Sequence, residues 1–114
     1  MNPVKENSFF SLKDILASLE ALGDEKLFVI AHTIYMSDEP ALSIEEIADE
    51  VGIEHETVQE RVDRLTEAGI IDTRMECLIN EDCTGVKYEL REFGRLAFEE
   101  GVNEIINHAN KTTK

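Results

Sequence analysis

The stretch from Ser43 to Leu65 constrains this chain more than any other. Ser43-Ile44-Glu45-Glu46 has the spacing of a capping box: the serine oxygen accepts from the Glu46 amide, and the glutamate reaches back to the serine amide. Ile44, Ile47, Ala48 and Val51 follow at steps of three, one and three, which gives a short helix with one apolar stripe. Gly52 then supplies the positive φ of a tight turn, and Ile53 fills the angle behind it. Val58, Val62 and Leu65 bury one side of a second helix, and Ala48 is small where the two helices cross. Gly69 stops the second helix.

Such a pair is a helix-turn-helix unit, and the flanking residues are consistent with it. Upstream, Phe9, Leu12, Ile15, Leu16, Leu19 and Leu22 mark a first amphipathic helix, with Gly23 expected to close it in a left-handed conformation. Asp24 caps a second helix bearing Leu27, Ile30, Ala31, Ile34 and Tyr35, which ends before Ser37-Asp38-Glu39-Pro40. Downstream, Ile71, Thr73, Met75, Cys77 and Ile79 alternate, as do Val86, Tyr88 and Leu90. With Asn80–Gly85 polar and turn-prone between them, the two runs form a β-hairpin. A last helix runs from about 92 to 107, followed by a frayed tail at Lys111–Lys114. The order is helix, helix, helix, helix, hairpin, helix. At 114 residues, this is a single domain over 1–114 of mainly α (α+β) class.

The motifs Leu22-Gly23-Asp24-Glu25, Ser43–Ile53, Thr57-Val58 through Ala68-Gly69-Ile70-Ile71, and Tyr88–Arg95 together resemble winged helix-turn-helix regulators of the ArsR/MarR type. The resemblance covers roughly residues 12–100, with the helix-turn-helix at about 43–68, a wing at about 70–91 and the terminal helix at about 92–107. It implies a DNA-binding transcriptional regulator acting as a homodimer, with one recognition helix per subunit in successive major grooves. On that reading His55 and Gln59 face bases, while Thr57, Arg61, Arg64, Arg74 and Lys87 serve phosphates.

Charge distribution opposes part of this expectation. The chain carries 25 acidic against 11 basic side chains, a net charge of −14, which is the wrong sign for capture of a polyanion by the overall field. Between Ser43 and Asp72 there are ten Asp/Glu against Arg61 and Arg64. Glu54, Glu56, Glu60 and Asp63 occupy the solvent face of the recognition helix, where residues able to contact phosphate or purine edges are usual. Two readings therefore stand side by side. In one, the sparse set above forms a DNA surface; in the other, an acidic winged-helix module docks a basic protein partner and does not read DNA.

The outer helices hold more apolar residues than one small core can hide. Phe9, Phe10, Leu12 and Leu16 at one end, with Phe98, Val102, Ile105 and Ile106 at the other, are expected to form a dimer interface.

Other chemistry has little support. Cys77 and Cys83 are too few for a disulfide scaffold; a thiol or metal sensor is a weaker alternative to Cys77 packing in the core. His32, His55 and His108 lie in three separate elements, so no metal site is expected. No Gly-rich phosphate loop, nucleophile elbow or HExxH is present, so neither catalysis nor a cofactor is expected. No apolar run approaches the roughly 18–20 residues that span a bilayer, and residues 1–10 lack the character of a signal peptide. The expected location is the cytoplasm, with no membrane partner.

Overall fold

The computed structural model describes residues 2–5, 10–76 and 85–111. Phe9, Cys77, Cys83 and the expected hairpin tip lie outside the described residues, and so do the last three residues of the tail.

Helix α1 (Leu12–Leu22) begins at a capping box that the sequence reading did not anticipate: Ser11 Oγ accepts from the Asp14 amide and the Asp14 carboxylate reaches back. At its other end Gly23 is right-handed, φ −77°, and not left-handed as expected. Asp24 accounts for the difference. Its carboxylate accepts from the Lys26 and Leu27 amides, so α2 (Glu25–Met36) starts at once and no reversal is needed at the glycine.

Helix α3 (Ile44–Val51) has the predicted Ser43/Glu46 box, and Gly52 closes it at φ 78°. Helix α4 (His55–Glu67) follows after three residues, and Gly69 beyond it is also left-handed at φ 80°. Strands β1 (Ile71–Glu76) and β2 (Gly85–Leu90) pair antiparallel, with Ile71 opposite Leu90 and Arg74 opposite Lys87. A two-way bridge joins Leu42 to Tyr88, with nitrogen–oxygen distances of 3.0 and 2.8 Å, and ties the hairpin to the segment leading into α3.

The last helix is not continuous. It comprises α5 (Glu92–Ala97), a π-helical turn at Phe98–Val102 and α6 (Asn103–Lys111), reaching further along the chain than the expected end near 107. The extra residue in the π turn rotates the apolar pattern between the two halves. Phe98 is consequently fully buried, packed on Phe28, His32 and Tyr35 with ring centroids 4.9–5.6 Å apart. This corrects its expected place at a dimer surface: Phe98 closes the monomer core. Asn103 Nδ2, the next residue after the turn, donates to Tyr35 Oη at 3.0 Å and holds α6 in its new register.

The core joins Leu27, Ile30 and Ile34 of α2, Ile47 of α3, and Val58, Val62 and Leu65 of α4 to Ile70, Ile71 and Leu90 at the hairpin base. Face alternation in β1 fades quickly: Ile71 is buried and Thr73 exposed, because the hairpin projects beyond the helices that cover its base. Among the described residues no helix is long and apolar enough to cross a membrane.

Candidate nucleic-acid interface

Burying Val58, Val62 and Leu65 against the core leaves the opposite side of α4 in solvent. Glu56, Gln59, Glu60 and Asp63 are all exposed and share that side at i, i+3, i+4 and i+7. Thr57, Arg61 and Arg64 lie along one flank at the same kind of spacing; Thr57 and Arg61 are half-buried, Arg64 exposed. His55 is exposed at the first turn. The helix thus separates its polar residues into an acceptor-rich ridge and a cationic flank.

The wing reaches α4 through a residue that sequence reasoning treated only as part of a strand. Tyr88 is buried through its ring, yet its hydroxyl lies 3.5 Å from Gln59 Nε2. The same nitrogen donates to Asp63 Oδ1 at 2.9 Å. The i,i+4 spacing of Gln59 and Asp63 was a legible signal for that second bond; the approach of Tyr88 depends on hairpin docking and had none.

Most of the predicted phosphate-binding cations have carboxylate neighbours. Arg64 stands 4.0 Å from Asp24, the N-cap of α2. Arg74 stands 3.5 Å from Glu89, one diagonal step across the hairpin. Lys87 stands 3.7 Å from Glu46, linking the wing to the start of α3. Arg74 and Lys87 face each other across the ladder, so these two carboxylates also relieve a like-charge pair. The Glu46 carboxyl is held below its usual range, first by the Ser43 backbone amide, which outweighs the opposing effect of burial, and further by the Ser43 hydroxyl and Lys87.

The expected interface therefore divides. Thr57, Gln59, Arg61 and Arg64 share α4, Arg74 and Lys87 share one rung of the wing, and Tyr88 joins the two. A cleft of about 700 Å³ lies elsewhere, between α2 and α3. Met36 and Leu42 line it together with Asp38, Glu39, Asp49 and Glu50. Among the described residues no group of three His, Cys, Asp or Glu side chains is placed to hold a metal ion.

Residues 34–72, from the end of α2 to the start of β1, match the family model described as winged helix-turn-helix DNA-binding. The likeness extends over nearly the whole chain in a homodimeric winged helix-turn-helix DNA-binding domain from Mycobacterium bovis, described as a possible ArsR-family transcriptional regulator. The TM-score is 0.70 at 14% identity, covering 99% of this chain and 96% of that one. The chain has the winged helix-turn-helix fold. The reduced form of the transcriptional regulator YodB from B. subtilis shares this fold at TM-score 0.66 and 20% identity, over 93% of this chain and 97% of that one. So does reduced HlyU from Vibrio cholerae, at 0.63 and 19%, over 82% and 88%. No curated protein matches the sequence. In winged-helix terms α3 is the first helix of the motif, α4 the recognition helix and β1–β2 the wing.

Proposed function

We propose that this winged-helix protein is a DNA-binding transcriptional regulator of ArsR type within the ArsR/MarR group, acting in the cytoplasm as a homodimer. The observation that carries the reading is the family-model match over residues 34–72, which spans α3, Gly52 and α4 and is described by DNA binding. In this reading α4 enters the major groove and the wing lies over the minor groove. Gln59 and His55 meet bases, while Thr57, Arg61, Arg64, Arg74 and Lys87 meet phosphates. The three cations now beside Asp24, Glu89 and Glu46 exchange a carboxylate for a phosphate oxygen on binding. No chemical step is involved; regulation is a matter of occupancy.

The dimer surface is assigned to Leu16 of α1 and Ile105 and Ile106 of α6, which are 56%, 70% and 38% exposed. Leu12 and Val102, both half-buried, lie at its margin. Phe10, packed edge-on against Phe93 at 5.6 Å, joins the segment before α1 to α5. The homodimeric state described for the M. bovis domain supports this assignment.

The deciding experiment titrates the protein against pooled genomic DNA fragments across a range of salt, with light scattering to follow its mass. Retention of a reproducible subset by a dimer supports the proposal. If no fragment is retained even at low salt, it fails.

One feature favours a second reading, the docking of a basic protein partner. The cleft between α2 and α3 has carboxylates at Asp38, Glu39, Glu46, Asp49 and Glu50, with no Lys or Arg among the described residues that line it. Capture of a Lys/Arg-rich peptide without DNA retention distinguishes it.

A further inference from the structure

The hydrogen bond between Gln59 and Asp63 determines which end of the Gln59 amide the recognition helix presents. A free glutamine offers both a donor and an acceptor, the combination that pairs with adenine N6 and N7. Here Nε2 is taken by Asp63 Oδ1 at 2.9 Å and faces Tyr88 Oη at 3.5 Å, so the carbonyl Oε1 is the end left for a ligand. Its neighbours on the ridge, Glu56 and Glu60, are exposed carboxylates that accept only. Along the solvent side of α4 the helix therefore offers acceptor next to acceptor. In the major groove, guanine presents N7 and O6 and thymine presents O4, all acceptors. Donors come only from the exocyclic amines, cytosine N4 and adenine N6.

We infer that α4 reads DNA as a row of acceptors that selects exocyclic amino groups, cytosine N4 above all, with Asp63 the positioning residue that prevents Gln59 from reading adenine bidentately. The inference rests on the DNA-binding reading above and adds the class of base edge to it. An acidic ridge is costly beside phosphates, yet a carboxylate can accept from cytosine N4. The ridge then acts as a filter: duplexes that set guanine O6 or thymine O4 against Glu56 and Glu60 meet acceptor against acceptor and are rejected.

Sequence selection from a random duplex pool tests this with two proteins, the wild type and Asp63→Ala. Asp63 is exposed, so its truncation leaves the core intact, and a thermal melt verifies that. The wild type should enrich cytosine at two or more adjacent positions of each half-site. Replacing one such C·G pair by T·A should weaken binding about fivefold or more. Asp63→Ala should move one of those positions from cytosine towards adenine while the others hold. Enrichment of guanine or thymine edges under α4 in the wild type overturns the inference and leaves the DNA-binding reading standing. An unchanged preference in Asp63→Ala overturns the role of Asp63. Failure of the wild type to retain any duplex at any salt overturns the DNA-binding reading, and this inference with it.

Discussion

Ser18 Oγ donates to the carbonyl of Ala68 at 2.6 Å, joining the middle of α1 to the C-cap of α4 across fifty residues of chain. Ser18 is 4% exposed, a polar side chain buried at the edge of the core. It satisfies a helix-terminal carbonyl that α4 itself cannot bond. It also lies beside Gly69, where an added Cβ would stand 3.7 Å from its oxygen.

Ser18→Ala should therefore destabilise the protein by about 1–3 kcal/mol, because the Ala68 carbonyl loses a partner in a place water reaches poorly. The urea midpoint should fall with little change in slope. An unaltered midpoint would mean that water replaces the hydroxyl.

Glycine-to-alanine changes at two positions of the terminal helix should differ, only one of them destabilising. At Gly94 an added Cβ would lie 2.8 Å from the Ile70 carbonyl oxygen and 3.2 Å from Leu90 Cδ2, so the helix must move off the hairpin base. Gly94→Ala should cost about 1–3 kcal/mol. At Gly101 nothing lies within 4 Å, and Gly101→Ala should be neutral or stabilising by up to about 1 kcal/mol through helix propensity. Paired thermal melts check both.

Acid should weaken the hold of the wing on α3 through Glu46. Its folded-state carboxyl titrates below the usual range, chiefly because the Ser43 amide donates to it, with the Ser43 hydroxyl and Lys87 adding to the effect. The resulting stabilisation is complete above the unfolded-state pKa and disappears as pH falls through the lower folded-state value. Glu46→Gln keeps a reach-back acceptor for the cap but has no charge to titrate. The stability gap between wild type and variant should narrow between pH 7 and about pH 3, read from urea midpoints. A gap independent of pH would refute the linkage.

Neutralising the ridge should raise non-specific affinity for DNA. Each carboxylate removed near the duplex relieves roughly 1 kcal/mol of repulsion at contact distance in water, so Glu56→Gln and Glu60→Gln should each tighten binding about fivefold at low salt. Fluorescence anisotropy with a labelled duplex measures this. No change in either variant would place the ridge away from DNA.

Charge at the apolar faces should separate subunits without unfolding them. Leu16→Glu and Ile105→Glu change side chains that are 56% and 70% exposed in the monomer. The mass in solution should fall to that of one chain while the melting profile of the core persists. A dimeric Ile105→Glu variant would move the interface off α6.

The local parts of this architecture were legible because their causes are local. Ser43, Glu46 and Gly52 specify a capped helix and a left-handed turn within ten residues, and the structure has both. The stripe Val58, Val62, Leu65 marks the buried side of α4, and all three are fully buried. Gly23 misled because a glycine after a helix is compatible with either hand, and the choice was made by the cap that Asp24 puts on α2. The cations misled in another way. Arg64, Arg74 and Lys87 were identifiable as charges, but their partners Asp24, Glu89 and Glu46 lie 40, 15 and 41 positions away and meet them only after folding.

By itself, then, the sequence determined the helix-turn-helix, the hairpin and the acidity of the recognition face, since each follows from periodicity, capping or charge counted along the chain. Tertiary structure decided the rest. The π turn at Phe98–Val102 takes Phe98 into the core because the rings of Phe28, His32 and Tyr35 await it there. The docking of β2 brings Tyr88 to Gln59, and Asp63 orients the amide between them. Which faces of a helix are left to solvent, and which end of a side chain points outward, depend on neighbours that spacing along one element does not specify.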